Sequence, residues 1–169
     1  MRRGISALAA DTGQKLNNKP GEASFPEGYD PDQALRLDNQ LCFPLYAASR
    51  KIVSAYTPLL KPLGLTYTQY ITFMVLWEED GISVGELCRK LRLDSGTVTP
   101  LLKKMEKAGY IVRSRSPKDE RVVIVSLTDE GRGMKEKAAA VPLKMAGCIN
   151  MDPEKAIELK RLLEEIIQS

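Results

Sequence analysis

Between Ser95 and Leu127 the hydrophobic pattern changes period, and that change limits the fold more than any other feature of the chain. Val98, Leu101, Leu102 and Met105 recur at helical spacing and leave Thr97, Pro100, Lys103, Lys104 and Lys107 on the opposite face. After Gly109 the spacing drops to two. Tyr110–Arg115 and Arg121–Leu127 alternate as strands, joined by Ser-Pro-Lys-Asp-Glu, in which Pro117 suits the second position of a tight turn. A hairpin must therefore follow directly on a helix.

Upstream, Ser83-Val84-Gly85-Glu86 has the spacing of a capping box and opens a short helix through about Leu91, and Asp94 or Ser95 caps the next. Short helix, tight turn, helix with a basic outer face and basic hairpin make a winged helix-turn-helix. The same box pattern, Thr66-Tyr67-Thr68-Gln69, opens an apolar helix that Gly81 is expected to end. From Leu37, apolar residues at Leu41, Leu45, Ala48, Ile52 and Ala55 predict a helix with Asp38 as its cap, bent or delayed by Pro44 and bracketed at its end by Pro58 and Pro62. Thr128 caps one further helix with Pro142 and Gly147 near its end. Asp152-Pro153 then starts an amphipathic helix bearing Ala156, Leu159, Leu163 and Ile166. Residues 1–34, rich in Gly, Pro, Asn and Asp and without periodicity, are expected to form a flexible arm. The fold class is mainly α with a small β-hairpin wing (α+β).

Charge gives the hairpin and its helices a partner. Between Ser83 and Arg121 ten Lys/Arg face five acids, whereas the whole chain carries only +3. Excess positive charge confined to one quarter of a chain fits a polyanion, here double-stranded DNA. A helix of this kind enters the major groove, so Ser95, Thr97 and Thr99 can bond bases or phosphates while Lys103, Lys104 and Lys107 meet the backbone. Arg113, Arg115 and Arg121 belong to the hairpin, whose tip can lay an arginine into the minor groove.

Other chemistries are thinly supported. The chain has no histidine, which removes Ser-His-Asp and Cys-His catalysis and imidazole-based metal sites. Its three cysteines, Cys42, Cys88 and Cys148, lack CxxC spacing, so neither a metal nor a cofactor is expected. No apolar run spans a bilayer and no secretory signal is evident, so no membrane partner and a cytoplasmic location are expected. Cys88, beside Leu87 and Leu91, reads as a small buried hydrophobe. Cys42 lies in the first turn of its helix, where the dipole favours a thiolate, with Tyr46 four residues on and Tyr56 and Tyr67 nearby in sequence. From these residues alone an inert core cysteine and an activated thiol both fit, the core reading being the commoner for cysteine.

The wing Asp119-Glu120-Arg121, the run Leu127-Thr128-Asp129-Glu130-Gly131 and the stretch LDSGTVTPLLKKMEKAGYIVR resemble the MarR family of bacterial regulators across residues 83–131. The resemblance implies a homodimer, with a winged helix-turn-helix at 65–129 and N- and C-terminal dimerisation helices at 35–64 and 130–169. It makes Arg121 the minor-groove arginine and Asp119 its orienter. LDNQLCFPLYAASR and AYTPLLKPLGLTYTQY are similar to the organic-hydroperoxide-sensing branch. By that likeness Cys42 is the sulfur an organic hydroperoxide oxidises, Tyr46, Tyr56 and Tyr67 line its pocket, and Cys148 of the partner subunit captures the oxidised sulfur as a disulfide. The function so implied is a repressor that leaves its operator on oxidation and is not an enzyme. A regulator released by a small phenolic or aromatic ligand, and a thiol peroxidase, are the alternatives. The arm is longer than such regulators usually carry.

Overall fold

The computed structural model describes residues 28–148 and 151–168. It divides into two compact units, 1–52 and 53–169. Residues 1–27 of the expected arm lie outside the described residues.

In the first unit the end of the arm is ordered by a cap. Asp30 accepts hydrogen bonds from the backbone N–H of Asp32 (3.0 Å) and Gln33 (3.3 Å), and Pro31 fills the first position of a one-turn helix, α1 (Pro31–Ala34). Leu37–Asn39 then form a 3-10 turn, to which Asn39 Nδ2 adds a bond to the Gln33 carbonyl at 2.7 Å. The expected cap at Asp38 is corrected here, because Asp38 sits inside that turn and the regular helix α2 (Cys42–Leu60) begins at Cys42 itself. That start accounts for Pro44. It stands third in the helix, where a backbone N–H would have no acceptor within the helix.

The second unit holds the core. Helix α3 (Tyr67–Glu78) opens on the full capping box: Thr66 Oγ1 accepts from Gln69 N–H at 3.3 Å, and Gln69 Oε1 accepts from Thr66 N–H at 2.8 Å. It ends at Glu78, three residues before Gly81, which turns the chain with φ +72°. A two-residue strand β1 (Ile82–Ser83), absent from the sequence expectation, leads into α4 (Val84–Leu91). Then follow α5 (Ser95–Lys107), β2 (Ile111–Arg115) and β3 (Val123–Leu127). The sheet is antiparallel in the order β1-β3-β2, with Ile111 opposite Leu127, Arg115 opposite Val123 and Ile82 opposite Val125.

Phe73, Leu76, Leu87, Val98, Leu102, Met105, Ile111 and Val125 are fully buried between these elements. The stripe read from α5 is thus the face that enters the core. Phe73 stacks on Trp77 with ring centroids 5.2 Å apart and meets the edge of Tyr110 at 5.4 Å.

The single helix expected after Thr128 is two: α6 (Asp129–Ala138) and α7 (Val141–Cys148). Pro142 is the reason. It has no N–H for the Ala138 carbonyl, so the first helix closes with a tighter bond from Ala139 N–H to Glu136 O (3.2 Å) and the next restarts with proline in its first turn. Last comes α8 (Pro153–Gln168), of whose expected apolar face only Leu163 is half-buried, while Ala156, Leu159 and Ile166 are exposed. No helix of the described residues is long and apolar enough to cross a membrane.

Candidate DNA-binding face and redox cysteines

The recognition helix α5 is set by its N-cap. Asp94 Oδ1 accepts from Thr97 N–H at 2.8 Å and Asp94 Oδ2 from the Thr97 hydroxyl at 2.7 Å, and these bonds hold the carboxyl below the usual carboxylate range. The turn before it carries Arg92 at φ +52°, left-handed backbone that usually falls to glycine. Its guanidinium donates to the Ile167 carbonyl of α8 at 3.3 Å. Ser95, Thr97, Lys103, Lys104 and Lys107 are all exposed along α5, and Thr99 is half-buried.

The wing is equally specific. Arg121 donates from Nε to Asp119 Oδ1 and from Nη2 to Oδ2, both at 3.1 Å, while its own N–H reaches Oδ1 at 3.0 Å. This bidentate grip holds the Asp119 carboxyl low and leaves the arginine 91% exposed at the tip. Arg115 braces the loop from the other side, donating to the Glu120 carbonyl at 2.8 Å. Arg113, expected among the DNA contacts, has its guanidinium committed to Glu106 of α5, with Nη2 2.6 Å and Nε 3.1 Å from Oε2. A cleft of about 430 Å³ separates the outer wing from the two helices, lined in part by Ser83, Thr99, Leu102, Arg121 and Val122.

The wing root is anchored where α6 begins. Thr128 caps α6 through Gly131 N–H (3.1 Å), and its hydroxyl donates to the Gly109 carbonyl at 2.6 Å. Gly131 cannot carry a side chain, because a Cβ there would lie 2.1 Å from the Tyr110 carbonyl oxygen. The Leu-Thr-x-x-Gly motif is therefore a close crossing of helix over strand.

The redox candidates divide between the units. Cys42 is exposed as the first residue of α2, its Sγ 3.9 Å from Gln40 Oε1. Tyr46, one turn on, is exposed and accepts from Arg50 Nη1 at 2.9 Å, and that guanidinium also lies 5.6 Å from its ring centroid. In the second unit Tyr56 and Tyr67 come together with centroids 4.9 Å apart. Tyr70, which the sequence reading passed over, joins Tyr56 at 5.8 Å. Its signal was faint, a third tyrosine one turn beyond Tyr67 in an apolar helix. Burial first, then neighbouring phenols, raises Tyr56 and Tyr70 above the usual phenol range, so both are neutral donors at physiological pH. Cys88 is half-buried against the core. Cys148 is exposed and is the last residue of α7, with Sγ 3.3 Å from the Lys144 carbonyl. Among the described residues no cluster of three or more His, Cys, Asp or Glu is placed to hold a metal.

Comparison with known proteins fits this layout. The family model "Transcriptional regulator SarA/Rot" matches residues 54–138. The chain is 44% identical over 135 residues to the organic hydroperoxide resistance transcriptional regulator of Bacillus subtilis, covering 80% of this chain and 92% of that protein. Among solved structures it is similar to reduced AbfR bound to DNA, at 38% identity and TM-score 0.68, over 79% of this chain and 91% of that one. It is also similar to disulfide-formed AbfR, at 38% identity and TM-score 0.57, over 80% and 96%. AbfR of Staphylococcus epidermidis is thus a relative described both on DNA and in a disulfide state. The chain belongs to the SarA/Rot family of transcriptional regulators, which are MarR-like winged-helix proteins.

Proposed function

We propose that this chain is a dimeric DNA-binding repressor whose operator affinity is switched off when an organic hydroperoxide oxidises Cys42. The observation that carries the reading is an exposed thiol at the first position of α2, in a chain whose other unit presents a capped basic helix and an oriented wing arginine. The resistance regulator of Bacillus subtilis and the reduced and disulfide forms of AbfR support the same chemistry.

The reaction balances as follows. The Cys42 thiol gives up its proton as its sulfur attacks the outer oxygen of the hydroperoxide, the O–O bond breaks, the leaving alkoxide takes up that proton and departs as an alcohol, and Cys42 becomes a sulfenic acid. Cys148 of the partner subunit then attacks that sulfur, forming the disulfide and releasing water. Tyr46, Tyr56 and Tyr67 supply phenols around the reacting group. Apolar residues exposed before and within α2 (Leu37, Leu41, Phe43, Ile52) and on α8 (Leu159, Ile166) are the surfaces a second copy would cover. That assignment makes 35–64 and 130–169 the dimerisation regions around a DNA-binding domain at 65–129. A disulfide between subunits re-spaces two recognition helices that must lie about one DNA turn apart. The protein is a regulator rather than an enzyme, and with DNA as its partner it works in the cytoplasm.

The test is DNA binding by reduced and hydroperoxide-treated protein beside Cys42→Ser, using duplexes that the wild-type protein recovers from a random-sequence pool. Wild type should release on oxidation and Cys42→Ser should stay bound. Equal release of both would overturn the sensor assignment and favour a bound small ligand or another oxidised group.

A further inference from the structure

Every cation on the basic face looks at first like a phosphate contact, yet Arg113 is held differently from the rest. Glu106, in the last turn of α5, spends both carboxylate oxygens on it. Oε2 accepts from Arg113 Nη2 (2.6 Å) and Nε (3.1 Å), and Oε1 accepts from the Arg113 backbone N–H at 3.2 Å. The two side chains are only 25% and 35% exposed, against 91% for Arg121. Arg113 is the middle residue of β2, opposite the buried Val125 of β3. The pair therefore joins the recognition helix to the centre of the wing. Arg113 itself lines the cleft with Thr99, Leu102 and Val122, between the helices and the outer wing, so the ion pair bridges where packing thins.

We propose that Glu106 and Arg113 are positioning residues for DNA reading. Their clamp fixes the angle between α5 and the wing, so that α5 and Arg121 address neighbouring grooves as one rigid reader, and Arg113 makes no contact with DNA of its own. The proposal rests on the DNA-binding reading above. A carboxylate on this face opposes a polyanion, so simple electrostatics and the clamp predict opposite signs for its removal.

The test compares Glu106→Gln, Arg113→Lys, Arg113→Gln and the double Gln variant with wild type, on duplexes recovered by wild type from a random pool, across a salt series. Glu106→Gln should weaken binding by about three- to tenfold, the size of one ordinary net hydrogen bond, although it removes a negative charge. Arg113→Lys should weaken it comparably, because lysine keeps the charge but not the fork. Arg113→Gln should leave the salt slope unchanged, and the double variant should be no worse than the weaker single. Hydroxyl-radical footprints of the variants should lose the wing's minor-groove protection first. If Glu106→Gln binds as tightly as wild type or tighter, the clamp has no part in reading. If Arg113→Gln lowers the slope by about one while Arg113→Lys binds normally, Arg113 is a phosphate contact and the proposal falls. Thermal melts of each variant separate lost affinity from lost folding, and Arg113→Lys keeps the charge and most of the volume should a Gln variant unfold. Failure of wild type itself to recover any duplex would instead refute the DNA-binding reading.

Discussion

Two glycines lie two residues apart on α6, and alanine should act on them with opposite signs. At Gly131 a Cβ would stand 2.1 Å from the Tyr110 carbonyl oxygen, and real contacts of this kind essentially never fall under 3.0 Å. The start of α6 must therefore move by roughly 1 Å from β2. Three bonds hold that end of α6 in place: across the crossing, Thr128 N–H to Tyr110 O (3.0 Å) and the Thr128 hydroxyl to Gly109 O (2.6 Å), and from α3, Trp77 Nε1 to Gly131 O (3.1 Å). At about 1 kcal/mol net each, their loss destabilises the fold by about 3 kcal/mol. At Gly133 nothing lies within 4 Å of the same added atom. There, in an exposed helix interior, alanine should stabilise by about 0.5–1 kcal/mol. Urea unfolding followed by circular dichroism, at one fixed protomer concentration, should move the Gly131→Ala midpoint down by about 1–3 M. The Gly133→Ala midpoint should rise slightly. Equal shifts, or a Gly131→Ala protein within about 0.5 kcal/mol of wild type, would refute the close crossing as the reason for that glycine.

The remaining predictions concern the wing, the cysteines and the phenols. Arg121→Ala should weaken operator binding by about 1–3 kcal/mol, checked by fluorescence anisotropy, and an unchanged Kd would remove Arg121 from the groove. Non-reducing gels after hydroperoxide treatment should show a covalent dimer that vanishes in both Cys42→Ser and Cys148→Ser; a dimer persisting in Cys148→Ser would reassign the resolving thiol. Tyr56 and Tyr70 have folded-state pKa values above the ordinary 10.0, so the stability they lend is whole below pH 10 and falls as pH rises through their folded values. Urea midpoints between pH 8 and 11.5 should show that fall, and Tyr70→Phe should flatten part of it.

What was legible in the chain was local. The caps at Thr66, Ser83, Asp94 and Thr128 each bond three residues ahead; three stand where their patterns placed them, and for α5, left open between Asp94 and Ser95, the cap is Asp94. The buried stripe of α5 and the two wing strands follow from period alone. What escaped was either too short or too distant. Strand β1 has two residues, too few to show alternation, and its existence depends on β3 lying alongside, some forty positions later. Pro142 was read as the mark of a helix end when it marks a restart, because a single proline is compatible with both. Asp38 had the chemistry of a cap but was taken up by a 3-10 turn that no periodicity announces. Of the Glu106–Arg113 pair, seven residues apart across a turn and a change of period, only Arg113 was singled out, as a DNA contact. Sequence placed the basic residues on one face without telling which of them was free.

That distinction bears on how any signal could act on DNA affinity. Asp80, in the loop after α3, accepts from Leu127 N–H at 2.8 Å through Oδ1 and from Arg132 Nη1 at 2.7 Å through Oδ2. Trp77 of α3 reaches the Gly131 carbonyl of α6. With Glu106 tying α5 to β2, side-chain bonds join α3 to α6, the loop after α3 to both β3 and α6, and α5 to β2. Such a network resists gradual deformation, and interiors packed around it change by moving as blocks. Reshaping α5 or the wing in place would break several of these bonds together. A rigid displacement of the head relative to a second head breaks none of them, and DNA punishes it steeply, since two helices serve successive grooves only at one spacing. The cheapest way for a covalent change elsewhere in the dimer to abolish binding is therefore to alter that spacing and leave each reader intact.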